Sequence, residues 1–162
     1  KKQIEEDKFF SSTKLENLLE EIINSFKETS SKEIVLVSNN DKNKIDIQRS
    51  AEMIYGLRNF IGNAIKFSKS KVNIFLISND KEIKIIVNDD GPGFPKDIID
   101  KLGEPYIKSK SLEINLNSGL GLGTFLGKTL LERQNANLLF KDDKNLGGAS
   151  VVISWSPKNI LL

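Results

Sequence analysis

Histidine and cysteine are both absent from this 162-residue chain. Without cysteine there is no disulfide framework, no thiolate metal site and no cysteine nucleophile. Without histidine every imidazole-based mechanism within the chain is excluded. Arginine is scarce, confined to Arg49, Arg58 and Arg133, and the remaining basic residues are lysines. The net charge is only +2, and no basic stripe is concentrated anywhere, so nucleic-acid binding is not expected. Long apolar runs are missing too. No stretch approaches the roughly 18 uninterrupted apolar residues of a membrane span. The opening KKQIEEDKFF lacks the apolar centre of a signal peptide. This fragment is therefore expected to be soluble and to make no direct membrane contact.

What is present suffices for one well-buried core, with 38% hydrophobic residues, and a single domain is expected. Residues 1–12 read as a charged stub, the tail of an upstream helix or linker. The domain itself is expected over 13–157, with a short tail over 158–162. Thr13 and Glu16 fit a capping box, and Leu15, Leu18, Leu19, Ile22, Ile23 and Phe26 recur at helical spacing to about residue 28. Two β-branched runs, Glu33 to Val37 and Lys44 to Ile47, flank a turn-rich Asn-Asn-Asp and suggest a hairpin. A second helix begins after Ser50 and runs to Phe67, with Ala51, Ile54, Leu57, Ile61, Ala64 and Ile65 as its buried stripe. Strands follow at Lys71 to Ile77 and Glu82 to Val87, joined through Asn79-Asp80. Then come a short helix near Lys96 to Lys101 and a long segment, Gly103 to Gly119, without sustained period. A loop of that length is either disordered or a functional lid. A helix over Gly121 to Gln134 and strands at Asn137 to Lys141 and Ala149 to Trp155 complete an α+β chain: a mixed, mostly antiparallel sheet with helices on one face.

Three constellations carry chemistry. Asn59, Asn63 and Lys66 share one helix face at i, i+4, i+7 spacing, apart from the apolar stripe. An asparagine carbonyl suits Mg²⁺ and a lysine ammonium suits phosphate; the plain alternative is a solvated helix face. Asp89-Asp90-Gly91-Pro92-Gly93 follows a strand, and Asp89 is an acceptor suited to an exocyclic amine such as that of adenine; the alternative is an ordinary turn. Gly119-Leu120-Gly121-Leu122-Gly123 opens a helix, where unpaired amides and the helix dipole favour an anion; the alternative is a hinge. Gly127-Lys128-Thr129 is not the end of a P-loop, because Leu122 occupies the upstream glycine position and the lysine falls inside a helix. The dinucleotide pattern fails because Leu126 stands at its last glycine and no βαβ unit surrounds it.

Taken in order, these motifs resemble the histidine-kinase branch of the ATPase superfamily that also contains gyrase, a class of heat-shock chaperones and the MutL repair proteins. LRNFIGNAIKFS looks like its N box, DDGPGF its first glycine box and SGLGLGTF, through Thr124, its second. Gly103-Glu104-Pro105-Tyr106 stands where a phenylalanine box would be. The runs DDGPGFP, LGEPY, GLGLG, TLLER and GGA before a Trp-bearing strand are most similar to the redox-responsive RegB/PrrB sensor kinases.

The resemblance implies a two-layer Bergerat ATP-binding fold with ATP and Mg²⁺ as cofactors. It implies that Asn63 is the metal ligand, with Asn59 and Lys66 alongside as catalytic candidates, and that Asp89 receives the adenine amine with Gly91 and Gly93 beside the base. Gly119, Leu120, Gly121, Leu122, Gly123 and Thr124 would shape the phosphate cradle. Lys108 and Lys110 are γ-phosphate candidates or solvated loop lysines, and Tyr106 is a lid anchor or a core contact. The superfamily's hydrolases carry a glutamate where this chain has Asn59. An amide cannot take a proton from water, so transfer to a nucleophilic imidazole is favoured over hydrolysis. With no histidine, the fragment depends on dimerisation helices of the same polypeptide and on a response-regulator aspartate downstream. The parent is expected to be a homodimer in the bacterial inner membrane with this domain in the cytoplasm. Ala149, where relatives often have threonine, and Tyr106, in place of phenylalanine, depart from the pattern. A degenerate nucleotide-binding module and a chaperone-like ATPase are the competing readings.

Overall fold

The computed structural model describes residues 12–39, 45–94 and 120–161, with residues 120–123 described by backbone alone. The expectations for the N-terminal stub up to residue 11, the helix near Lys96 and the segment from Gly103 lie outside these residues. So do Tyr106, Lys108, Lys110 and Gly119.

Along the chain run β1 (Ser12–Lys14), α1 (Leu15–Lys27), β2 (Glu33–Ser38), β3 (Asp46–Gln48), α2 (Ala51–Phe67), β4 (Lys71–Ser78) and β5 (Ile83–Asp89). After them come α3 (Leu120–Arg133), β6 (Asn137–Asp142), β7 (Ala149–Trp155) and a 3-10 turn at Pro157–Asn159. Five strands form one mixed sheet in the order β2-β4-β5-β7-β6, and β1 and β3 form a separate ribbon. Only β2 and β4 are parallel in the large sheet, and the β4–β5, β5–β7 and β6–β7 pairs are antiparallel. The expected α+β architecture holds.

Strand alternation places Ile34, Val72, Ile74, Leu76, Ile85, Val87 and Ile153 in the core under the helices. On the opposite face one cross-strand row is apolar from edge to edge: Val37 pairs with Phe75, Phe75 with Ile86, Ile86 with Val152, and Val152 with Leu139. Helix α1 contributes Leu15, Leu18 and Leu19, all fully buried, each stabilising the fold by about 1.5–3 kcal/mol.

Three local expectations are corrected. The hairpin expected from Glu33 and Lys44 does not form. β2 instead pairs in parallel with β4, Glu33 opposite Lys71, and β3 pairs with β1. Parallel neighbours need a long crossover, and α2 supplies it. The capping box at Thr13 is also absent: Thr13 lies in β1 opposite Ile47, and Lys14 is the N-cap residue without a side-chain cap. The first helical amide, Leu15 N–H, donates to the Ile45 carbonyl at 2.9 Å, a tertiary partner replacing the cap. In α2, Ala51 is exposed, whereas Met53, Gly56 and Phe60 join the buried stripe. Ser50 caps α2 as expected, its side chain accepting from Met53 N–H at 3.1 Å.

Candidate functional site

A cleft of about 320 Å³ opens between α2, the end of β5, the β6–β7 pair and the first turns of α3. Asn63, Asp89, Gly93 and Thr124 all line it. Four residues from three motifs thus meet in one place, through the sheet order that sets β5 beside β7 and the helix pair above it.

Asp89 forms the polar end of an otherwise apolar wall and is 4% exposed. Its Oδ1 accepts from Gly91 N–H at 2.8 Å and from Ala149 N–H at 3.2 Å. Among the described residues no donor reaches Oδ2. One carboxylate oxygen is therefore fixed by backbone and the other remains for a ligand. Burial pushes its pKa up, the Gly91 and Ala149 amides partly offset this, and the nearby charges of Asp90 and Asp143 push it up further.

Gly91 owes its identity to the protein rather than to the ligand. A Cβ there would stand 2.2 Å from the Phe67 carbonyl oxygen at the end of α2. Gly93 has φ of +79°, a conformation that glycine adopts at no steric cost. Asp90 faces away from Asp89's oxygens and binds the turn after α2, accepting from the amides of Lys69 at 2.8 Å, Ser70 and Lys71 at 3.1 Å each, and from Ser70 Oγ at 2.9 Å. Desolvation opposes these bonds, yet they hold its pKa down at about 2.

On α2, Asn63 stands at the cleft wall and its Nδ2 is buried with no hydrogen-bond partner among the described residues. A buried amide left without a partner is costly, and a polar ligand in the cleft would relieve it. Asn59 does not line the cleft. Its Nδ2 donates to the Tyr55 carbonyl at 3.1 Å, and its Cβ lies where a side chain on Gly127 would fall, 3.0 Å away. Lys66 is exposed at the rim, its ammonium 5.3 Å from the Phe67 ring centroid. The structure thus brings Asn63 to the cleft and leaves its two helix-face companions outside the wall.

Helix α3 already includes Leu120, Gly121, Leu122 and Gly123, so the glycine-rich motif is its first turn. Thr124, 2% exposed, follows on the cleft side. Lys128 lies within this helix and pairs with Glu132 one turn on, consistent with the exclusion of a P-loop. Two glycines set how closely α3 approaches α2. A Cβ on Gly56 would fall 2.6 Å from Leu131 Cγ, and one on Gly127 would meet Asn59 and Phe60 at 3.0 Å.

Several site residues escaped the sequence reading. Phe60, Phe67, Phe94 and Phe140 provide aromatic walls, with Phe94 edge-on to Phe140 at 5.9 Å and Phe60 tilted against it at 5.8 Å. Phe60 and Phe67 are three before and four after Asn63, a spacing that marks the same helix face. Gly148 is the other omission. A Cβ there would stand 2.3 Å from the Asp89 carbonyl oxygen and 2.4 Å from Oδ1, so only glycine lets β7 deliver the Ala149 amide. Its carbonyl accepts from Asp143 N–H at 2.6 Å, which closes the β6–β7 turn.

An acceptor-ended, aromatic-walled cleft beside a glycine-rich helix start is the arrangement expected of a nucleotide-binding α+β domain. The chain belongs to the family described as histidine kinase-, DNA gyrase B-, and HSP90-like ATPase, whose model matches residues 48–159. The sensor histidine kinase RegB of Cereibacter sphaeroides is 40% identical over 105 residues, which cover 62% of this chain and 23% of RegB. This chain therefore matches under a quarter of that relative's length. Among solved structures, the catalytic domain of histidine kinase ThkA superimposes with a TM-score of 0.74 at 18% identity, covering 91% of this chain and 97% of that one. Full-length ShkA in complex with AMPPNP gives 0.71 at 21% identity, covering 93% and 31%. These two show the fold.

Proposed function

We propose that this chain binds ATP with Mg²⁺ and supplies the γ-phosphate for histidine phosphorylation on dimerisation helices of the same polypeptide. The observation that carries this reading is Asp89, nearly buried at one end of an apolar cleft with Oδ1 taken by two backbone amides. That arrangement suits a planar heterocycle with an exocyclic amine: Oδ2 accepts the amine proton and the phenylalanine walls take the ring faces.

At the other end of the cleft, Asn63 would hold the metal ion through its amide oxygen, and Mg²⁺ would neutralise charge on the phosphates. Among the described residues no three His, Cys, Asp or Glu side chains converge as a metal cage, in keeping with a metal held by one amide, phosphate oxygens and water. The first turn of α3 offers its amides to the phosphates, and Thr124 fixes that turn against the cleft. Lys66 and Asn59 flank the phosphate end from the helix rim. In the transfer a histidine nitrogen attacks the γ-phosphorus, the bond to the β-phosphate oxygen breaks, and ADP leaves. Asn59 offers no base for water, so positioning rather than hydrolysis is what this helix supplies.

The likeness to RegB supports a parent that is a membrane-anchored homodimeric sensor kinase, with this domain on the cytoplasmic side and a response-regulator aspartate as the next acceptor. Among the described residues no helix is long and apolar enough to cross a membrane. The test is phosphotransfer in trans: the purified chain, ATP-Mg²⁺ and the parent's histidine-bearing helical segment. An acid-labile, base-stable phosphoryl group on the helices, lost with Asp89→Asn, is expected. Steady phosphate release by the domain alone, without transfer to the helices, would overturn the kinase reading.

A further inference from the structure

Lys32 lies outside the cleft, between α1 and β2. Its ammonium donates to the Ser68 carbonyl at 2.8 Å, to the Lys66 carbonyl at 3.3 Å and to the Ile65 carbonyl. These groups surround the C-terminal end of α2, where helix carbonyls lack intrahelical donors and a positive charge meets the negative end of the helix dipole. The rest of that end is already committed. Ser68 N–H donates to Ala64 O at 2.9 Å, Ser68 Oγ to Ile65 O at 2.8 Å, and the Phe67 carbonyl abuts Gly91.

Lys32 is itself placed by backbone. Its amide donates to Ser30 Oγ at 3.2 Å, the next amide, Glu33 N–H, donates to Ser70 O at 2.8 Å, and β2 then runs in parallel register with β4. The ammonium is thereby delivered to the helix end by the same register that starts the sheet.

We propose that Lys32 is a positioning residue for Asn63, setting where the amide at the phosphate end of the cleft stands along the α2 axis. Asn63 precedes the Ile65 and Lys66 carbonyls by less than one helical turn. Loosening of that end therefore reaches Asn63 before it reaches the buried middle of the helix. Asp89, held by Gly91 and Ala149 amides, shares none of these bonds. Phe67, which stands between the carbonyls that Lys32 holds and lines the cleft, shifts with that end, so loss of the Lys32 ammonium weakens the metal-dependent part of nucleotide binding more than the part that Asp89 reads. This rests on the proposed reading in which Asn63 meets the metal ion.

The experiment is calorimetric titration of the whole chain with a non-hydrolysable ATP analogue, with and without Mg²⁺, for wild type, Lys32→Met, Lys32→Arg and Asn63→Ala. The quantity read is the gain in affinity that Mg²⁺ confers. Groups hydrogen-bonded to a metal ligand typically cost about 10–100-fold in metal affinity when removed, and Lys32, which acts through the helix end rather than on Asn63 itself, belongs at the low end. Lys32→Met is expected to lower the Mg²⁺ gain by about tenfold, lower Mg²⁺-free binding by clearly less than that, and be rescued by Lys32→Arg. A purely structural role would lower both affinities together or only the melting temperature, and either result overturns the proposal. An unchanged gain in Asn63→Ala overturns the assignment of Asn63 and the Lys32 role with it. A gain reduced in Asn63→Ala but intact in Lys32→Met overturns the Lys32 role alone. Should Lys32→Met not fold, Lys32→Gln is measured in its place, and an unchanged gain there counts against the proposal in the same way.

Discussion

Asp89 and Asp90 are adjacent at the end of β5, and their surroundings push their acidities in opposite directions: burial raises one and three backbone amides with a hydroxyl hold the other at about 2. The strand's alternation sends the first carboxylate into the cleft and the second to the turn that follows α2. The raised group is the one left with an oxygen for a ligand, and the lowered one fastens the strand to the helix.

Asp89→Asn should weaken nucleotide binding sharply without unfolding the domain. The asparagine oxygen can still accept from Gly91 and Ala149 N–H, whereas an Nδ2 facing an exocyclic amine sets donor against donor. That mismatch costs about 1–3 kcal/mol, about fivefold to about 150-fold in affinity by calorimetry. Without ligand the variant should melt no lower than wild type at neutral pH. A carboxyl whose folded pKa is raised destabilises the fold when ionised, and the amide is spared that cost. Wild-type affinity in the variant would sink the assignment.

Acidification should weaken binding through Asp89. The acceptor form is complete well above the folded pKa and disappears as pH falls through it. Because that pKa is raised, the loss begins at a higher pH than an ordinary aspartate would give. Affinity plotted against pH should fall toward a slope of about one proton, and Asp89→Asn should remove that slope. A profile flat to below the ordinary aspartate value of 3.8 would contradict the prediction.

Asp90 makes the opposite contribution, to stability. Its folded pKa is depressed, so its stabilisation is whole above its unfolded value and is lost as pH falls from about 3.8 to about 2. Asp90→Ala leaves the amides of Lys69, Ser70 and Lys71 without this acceptor and should cost about 1–3 kcal/mol in urea unfolding at neutral pH. The difference from wild type should shrink below pH 3.8. An equal difference at every pH would show that the carboxylate charge is not what holds the turn.

Gly148→Ala should be far more damaging than one added methyl on a surface turn. The new Cβ would overlap the Asp89 carbonyl and Oδ1, displacing either β7 or the carboxylate. Overpacking of this kind costs about 1–3 kcal/mol, and binding should fall with it. Gly147→Ala is the control for turn strain, since a Cβ there meets nothing within 4 Å although its φ is +82°. A nucleotide affinity untouched by Gly148→Ala would contradict the prediction.

The polar residues that line the cleft were largely legible in sequence, and their supports were not. Asn63, Asp89 and Thr124 fall within motifs whose order survives in one dimension, and the strand pattern around Lys71 to Val87 gave the hairpin correctly. The misread elements all depend on partners distant in the chain. β2 looked like half of a hairpin because its pairing with β4 across α2 leaves no local trace. Thr13 looked like a cap because the carbonyl that takes over its task belongs to Ile45. Gly91 looked like a residue that makes room for a ligand and Gly148 gave no signal, whereas the space they leave is filled by Phe67 and Asp89 of the protein itself. Lys32 gave no signal at all, since nothing in the sequence announces that a helix ends beside it.

The Gly56 and Gly127 contacts between α2 and α3 have a mechanical side. Where helices meet through side chains, rotamers can rearrange and cushion a displacement. Here α3 rests on α2 at two points with no rotamer on the glycine side, at Gly56 against Leu131 and at Gly127 against Asn59 and Phe60. Such contacts resist compression, because the glycine side has no side chain to rearrange. A displacement of α3 is therefore carried directly to Asn59 and Phe60, on the face of the neighbouring helix.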